Sequence, residues 1–241
     1  MAAPDWMFDS TAAMLATVLP LFRRAPPVSD AAIYARTRRT LDRLAADTRA
    51  ATRSATLAAD LTTVVVGYRE AAADLRSCIA GLERVIVATR SFAVLMPASS
   101  PTEKLRQQHE LALLGFIEAL SLAQIGECVA RLDIASYDEA RALRARLGRL
   151  LDVGIERASE RGDVGTAMVM RSMLGALVRD LIERGRPLAR LSRYDTALPL
   201  PAVVLAHELY QDAGRAGELM AENGQFDHPS FMPVSGRART R

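Results

Sequence analysis

Lysine is almost missing from this chain. Lys104 is the only one, so nearly all of the 31 basic residues set against 28 acidic ones are arginines, and the formal charge is +3. Glu103 precedes that lysine and no glycine pattern leads up to it, which excludes a phosphate-binding P-loop. So small a positive excess, spread along the whole chain, does not mark a nucleic-acid binder. Aromatic residues make up 5% of the chain while half of it is apolar. The apolar content is mostly Ala, Leu and Val, which excludes a sheet-rich fold and points to long packed helices. The two cysteines, Cys78 and Cys128, lie in apolar helical patterns and read as buried reduced thiols, as in a protein folded in a cytoplasm.

No uninterrupted apolar run approaches the ~18 residues of a membrane span, because Glu118 and Arg171 interrupt the two best candidates. The early run STAAMLATVLPLF has Asp5 and Asp9 before it and Arg23 and Arg24 after it, the reverse of a signal peptide's charge order. A soluble chain without a membrane span is the expectation, with residues 1–27 forming a docking arm around a short helix that ends near Pro20.

Catalytic groupings are equally scarce. No GxGxxG follows a strand, and HELYQ at His207 lacks the second histidine of a zinc-protease helix, Gln211 standing in its place. His109, His207 and His228 each adjoin a carboxylate, Glu110, Glu208 and Asp227. Neighbours on a helix diverge, so the first two pairs make poor acid–base dyads. No nucleophile has a base beside it. The expectation is a protein that is not an enzyme, with no catalytic residue, no metal and no cofactor.

Helical signals fill most of the chain. After RAPPVSD, where Ser29 or Asp30 can cap a helix, no proline appears until Pro97, so 28–96 reads as one very long helix or a hairpin of two. Leu61, Val65, Tyr68, Ala72, Leu75, Ile79, Leu82, Ile86, Thr89 and Ala93 alternate spacings of four and three, a heptad seam. Upstream, Leu41, Leu44, Thr48, Ala51, Ala55 and Ala58 continue it, with a phase slip before Leu61 that marks overwinding or a break. The seam packs in cis or against other copies. Ser100, Pro101 and Glu103 start a helix over about 101–132, and Ser136 with Glu139 starts another over 137–161. A third covers 164–184 before Gly185 and Pro187. The reading is mainly α: long heptad-patterned helices in a bundle over 28–186, plus a small C-terminal α+β module over 187–241 that carries a basic tail.

Within that module, RPLARLSRYDTALPLP suggests an extended segment or short strand. Pro201 then starts a short helix, and Asp212 caps a second that ends at Gly224. FDHPSFMPVSG is extended again. Two short helices between extended pieces give a LysM-like βααβ layout, with Tyr210, Leu219, Phe231 and Met232 as its core and Asp212 and Asn223 as caps. Arg215 and Glu218 share a helix face and can pair. Of the arginine groups, Arg36, Arg38, Arg39 and Arg43, like Arg141, Arg144, Arg146 and Arg149, interleave with acids and read as solvated faces or protein contacts. The tail Arg237, Arg239 and Arg241 is purely basic and suits DNA or an acidic partner.

The run LPAVVLAHELYQDAGRAGELMAENG followed by HPSFMP resembles the C-terminal end of the Mu-like phage and prophage DNA circularisation proteins, tail proteins also described as baseplate hub components. The matching residues are Leu200-Pro201, Ala206, Leu209-Tyr210, Asp212-Ala213, Arg215-Ala216, Glu218-Leu219, Asn223, His228-Pro229 and Phe231 to Pro233. Gln211 and Gly214 depart from the pattern, and residues 1–100 have no counterpart of the family's N-terminal domain. The resemblance therefore implies a tail or baseplate component, made in a bacterial cytoplasm and carried in the virion. It implies a multi-copy ring whose partners are tube, hub and wedge proteins. Partner contacts then fall on Tyr210, Asp212, Arg215, Glu218, Asn223, His228, Pro229, Phe231 and Pro233. The alternative it carries is a DNA-binding protein that holds or circularises phage genome ends.

Overall fold

A computed structural model describes residues 5–24, 28–53, 55–92, 100–224 and 231–240. They are mostly helical, with one two-stranded antiparallel sheet. The chain divides into two compact units. Unit 1 comprises residues 1–132 and 147–177, and unit 2 comprises 133–146 and 178–241.

Unit 1 begins with α1 (Asp5–Arg23), which contains Pro20 and buries Phe8, Met14, Leu15, Val18, Leu19 and Phe22. One apolar face at helical spacing thus packs inward, against α2, α3, α4, α5 and α6. The described residues of the segment 28–96 form neither one long helix nor a hairpin of two. They form α2 (Ala31–Ala46), α3 (Thr48–Arg53), α4 (Leu57–Glu70) and α5 (Leu75–Ser91). Aspartates account for three of the helix starts. Asp30 accepts from the Ala32 and Ile33 amides, Asp47 from Ala50, and Asp74 from Arg76 and Ser77, so each replaces the missing turn of the helix it opens. Ala55, at φ 57°, takes the left-handed conformation that ends α3 before the phase slip. The seam residues Leu41, Leu44, Leu61, Val65, Tyr68, Ile79, Leu82, Ile86 and Thr89 are buried within this unit. Ala93 lies outside the described residues.

Helices α2 and α4 run antiparallel: Val28 bridges Ala72 at one end and Arg43 pairs with Asp60 at the other. Gly67 allows the approach, because a Cβ there would collide with the Thr37 side chain. Burial pushes the Tyr68 hydroxyl up to about 12. The thiols of Cys78 on α5 and Cys128 on α6 (Pro101–Arg131) are buried and free, and they interact with each other. That hydrogen bond, with burial, raises the Cys78 thiol above its ordinary range.

The start of α6 carries a reciprocal cap: Ser100 Oγ accepts from the Glu103 amide at 3.2 Å, and the Glu103 carboxylate accepts from the Ser100 amide at 3.1 Å. Despite Glu118, α6 is long and apolar enough to cross a membrane by length and composition, with a window of mean hydropathy 1.5 of which 61% is buried inside the fold. Glu118 itself is 2% exposed. The Arg90 guanidinium holds it at 2.8 Å and Arg157 lies 3.5 Å away, while Arg90 also donates to the Leu150 carbonyl. A buried carboxylate is tolerated because two cations from α5 and α7 (Tyr137–Glu160) meet it. Helix α8 (Val164–Gly185) supplies Met170 and Met173 near Gly154 and Gly126, glycines whose missing Cβ leaves room for those thioethers.

Unit 2 contains the first turns of α7, the last turns of α8, β1 (Leu191–Asp195), α9 (Ala202–Tyr210), a 3₁₀ turn (Ala213–Arg215), α10 (Ala216–Asn223) and β2 (Ser235–Arg239). The strands pair antiparallel with Leu191 opposite Arg239 and Tyr194 opposite Gly236. Backbone bonds from Thr196 to Val234 and from Met232 to Leu200 carry the pairing past the sheet. At the other end the β1 approach is held to α7, where Leu191 donates its amide to Asp138 at 2.6 Å and the Arg190 guanidinium lies 4.8 Å over the Tyr137 ring.

Candidate partner-binding module

The order strand, helix, helix, strand closes around a core of Tyr194, Ala202, Leu205, Ala206, Tyr210, Leu219, Met232 and Ala238. Tyr210 and Leu219 come from α9 and α10 and Met232 from the extended segment before β2. Phe231 does not belong to this core: it is 43% exposed. Successive residues of an extended chain point to opposite sides, so burying Met232 turns Phe231 out to solvent. Leu198, Pro199, Val203, Pro233 and Val234 are exposed as well, and the Thr196–Val234 bond ties the Val234 backbone to the segment that carries Leu198.

Most of the polar candidates are tied up within the module. Asp212 accepts from the Gly214 amide at 2.8 Å and so starts the 3₁₀ turn. It follows Gln211, whose left-handed φ of 57° ends α9. Arg215 lies 4.0 Å over the Tyr210 ring and pairs with Glu218 at 2.9 Å, a carboxylate that raises its affinity for its proton. Asn223, the last residue of α10, caps that end of the helix and also reaches β2. Its amide nitrogen donates to the Leu219 carbonyl at 2.6 Å and to the Arg237 carbonyl at 2.8 Å, and its oxygen accepts from the Arg237 amide at 2.7 Å. One side chain thereby pairs with a β2 residue as a neighbouring strand would.

Gly236 completes this staple. A Cβ there would lie 2.5 Å from the Tyr194 hydroxyl and would collide with the Asn223 oxygen. An aromatic ring laid over a glycine across the strand pair fixes the register. The Tyr194 hydroxyl is buried without a hydrogen-bond partner among the described residues, and desolvation, then the nearby Tyr210, raises it above the ordinary phenol range. Arg239 points back to the helices, its amide donating to the Tyr210 hydroxyl at 3.0 Å and its guanidinium pairing with Glu222 at 2.6 Å. Arg237 stands exposed, directly opposite Arg193. His228, Pro229 and Arg241 lie outside the described residues.

The structure therefore gathers Tyr210, Asp212, Arg215, Glu218, Asn223, Arg237 and Arg239 into one small fold and places Phe231 and Pro233 on its surface. Sequence reasoning did not single out Tyr194, Gly236 or Ala238. The alternation around Tyr194 was legible, and an aromatic paired across a sheet with glycine is the pattern that joins them. Away from the module, His109 is half-buried, contacting Thr11 at 2.9 Å and the Trp6 ring edge-on at 6.2 Å. Burial lowers its pKa, opposed by Glu110. His207 is exposed. Among the described residues no group of three or more His, Cys, Asp or Glu side chains is placed to hold a metal ion. The chain matches no protein-family model and no curated protein sequence.

Proposed function

We propose that this protein is a structural component of a bacteriophage tail or a prophage-derived contractile particle, at the baseplate hub or the junction of tube and baseplate. It works by protein–protein assembly in a multi-copy ring, without catalysis, cofactor or membrane span, and the C-terminal module is its LysM-like anchor. The observation that carries this reading is that the residues of the resemblance are the ones that close the module. Tyr210, Asp212, Arg215, Glu218, Leu219, Asn223 and Met232 supply its core, turn and staple. The surface offered to neighbouring tube, hub or wedge subunits is the apolar one around Phe231, Leu198 and Val234, residues 43%, 69% and 45% exposed. Exposed apolar side chains at this density suit an interface that is covered on assembly.

The test is incorporation into particles. A chain lacking residues 199–241 is expected to stay helical and be absent from purified tails. Because that deletion also removes the partner of β1, the paired variant Leu198→Ser/Phe231→Ser provides the second readout, with both side chains at the surface and the core untouched. Wild-type levels of the paired variant in particles would remove the anchor surface, and wild-type levels of the truncation would remove the module from the assembly role.

A further inference from the structure

Four arginines of unit 2 line one cleft of about 270 Å³: Arg141 and Arg144 from α7, Arg186 just past α8, and Arg190 ahead of β1. Leu181, buried, and Ile182, 39% exposed, form its apolar wall. Among the described residues, neither Arg141, Arg144 nor Arg186 meets a carboxylate, whereas on α2 and α6 an acid stands beside the arginine, as Asp42 does for Arg38 and Glu110 for Arg106. Three of the nearby carboxylates are already engaged. Asp138 accepts from the Leu191 amide, Glu139 from the Ala135 amide, and Asp180 from Arg184. Arg190 is held over Tyr137 and so is oriented rather than neutralised.

We propose that this cleft docks an acidic segment of a protein partner, a carboxylate seated between the guanidiniums and a neighbouring apolar side chain against Leu181 and Ile182. Like charges held together without a counter-charge repel one another, and a bound carboxylate relieves that repulsion while the planar guanidinium forks grip it in two-point fashion. The volume is that of one or two side chains. A nucleic-acid backbone presents charge every ~1.7 Å along a line and has no use for an aliphatic wall, so the wall favours a peptide. Arg193 and Arg237 line the adjoining surface with Asp138 and Leu191, the neighbours in sequence of Tyr137 and Arg190, and add positive potential that steers an acidic chain inward. The inference rests on the assembly reading only in taking the partner to be a protein. It requires no tail, and binding in solution tests it whether or not the chain enters particles.

The experiment is fluorescence anisotropy of the full chain with a labelled Glu-Glu-Leu-Glu-Glu-Ile peptide, repeated with serine in place of its apolar residues and with an oligothymidylate of equal charge as competitor. Arg141→Gln/Arg144→Gln is compared with Arg36→Gln/Arg39→Gln, which removes the same charge from exposed positions of α2. The proposal expects binding that weakens with salt, falls about tenfold in the cleft variant and about as much for the serine peptide, and stays within about twofold in the α2 variant. Absence of binding by the wild-type chain overturns it. So does equal loss in both variants, which means diffuse charge attraction, and so does displacement by oligothymidylate at equal concentration, which means a polyanion surface.

Discussion

Replacing Gly236 by alanine places a methyl group where two rigid neighbours already are. The added carbon falls 2.5 Å from the Tyr194 hydroxyl and 2.7 Å from its ring carbon, and closer still to the Asn223 oxygen. Tyr194 is 4% exposed and packed in the module core, so its ring has nowhere to swing. Ordinary contact needs roughly another ångström, and inserting one carbon into such packing costs about 1–3 kcal/mol. If Asn223 yields instead, its paired bonds to Arg237 are strained, at about 1 kcal/mol net for each one lost. A total near 2 kcal/mol multiplies the open population of the β1–β2 pair by about 30. Gly217 is the internal control. It lies in α10 with nothing within 4 Å of a Cβ, so Gly217→Ala should be neutral or stabilise the module by up to about 1 kcal/mol through helix propensity. Hydrogen exchange read by mass spectrometry on peptides covering 191–195 and 235–239 measures the opening directly. Protection in Gly236→Ala equal to that in Gly217→Ala would refute the reasoning.

Three further outcomes follow from unit 1. Arg90→Met strips the nearer cation from Glu118 and leaves a carboxylate 2% exposed with Arg157 at 3.5 Å; urea denaturation should show a loss of about 3 kcal/mol. Cys78 and Cys128, both fully buried, should resist a thiol-reactive dye in the native chain and both react once it is unfolded. His109 has a lowered pKa, so the unfolded chain takes up its proton first as the pH falls. Its contribution is complete above the ordinary histidine value of about 6.5 and is lost as the pH falls through the lower folded value. The melting temperature should accordingly fall between about pH 7 and pH 5, and less so in His109→Gln.

Local chemistry was the legible part of the sequence. The Ser100–Glu103 reciprocal cap, the Asp212 turn and the helix stop at Gly224 each depend on a few consecutive residues, and each is found where the sequence puts it. The second cap is only half as read: Ser136 accepts from the Glu139 amide, but the Glu139 carboxylate reaches the Ala135 amide. Along the seam through 41–89 most Leu, Ile and Val positions are buried, whereas Ala55 and Ala58 are exposed and Ala72 and Leu75 half-buried, and the spacing concealed the breaks. Asp47 and Asp74 were available as cap signals, whereas the left-handed Ala55 carries no residue-type signature at all. In the module the helices were plain, and the long-range features were not. That Asn223 reaches Arg237, 14 residues on, and that Tyr194 covers Gly236 across the pairing of β1 with β2 are facts of register that no local run of residues carries. The exposed Phe231 was misplaced because its aromatic character outweighed the alternation that excludes two adjacent core residues in an extended chain.

The make-up of unit 2 has a consequence for inheritance. Its residues come from 133–146 and 178–241, and the stretch between them belongs to the other unit, so no single continuous piece of the gene encodes it. A recombination event that exchanged only the 3′ end would import β1 and the small helices without the Tyr137 and Asp138 side chains that receive Arg190 and Leu191. Lineages that exchange this gene in segments should therefore keep the start of α7 and the C-terminal end together, or let them change in concert.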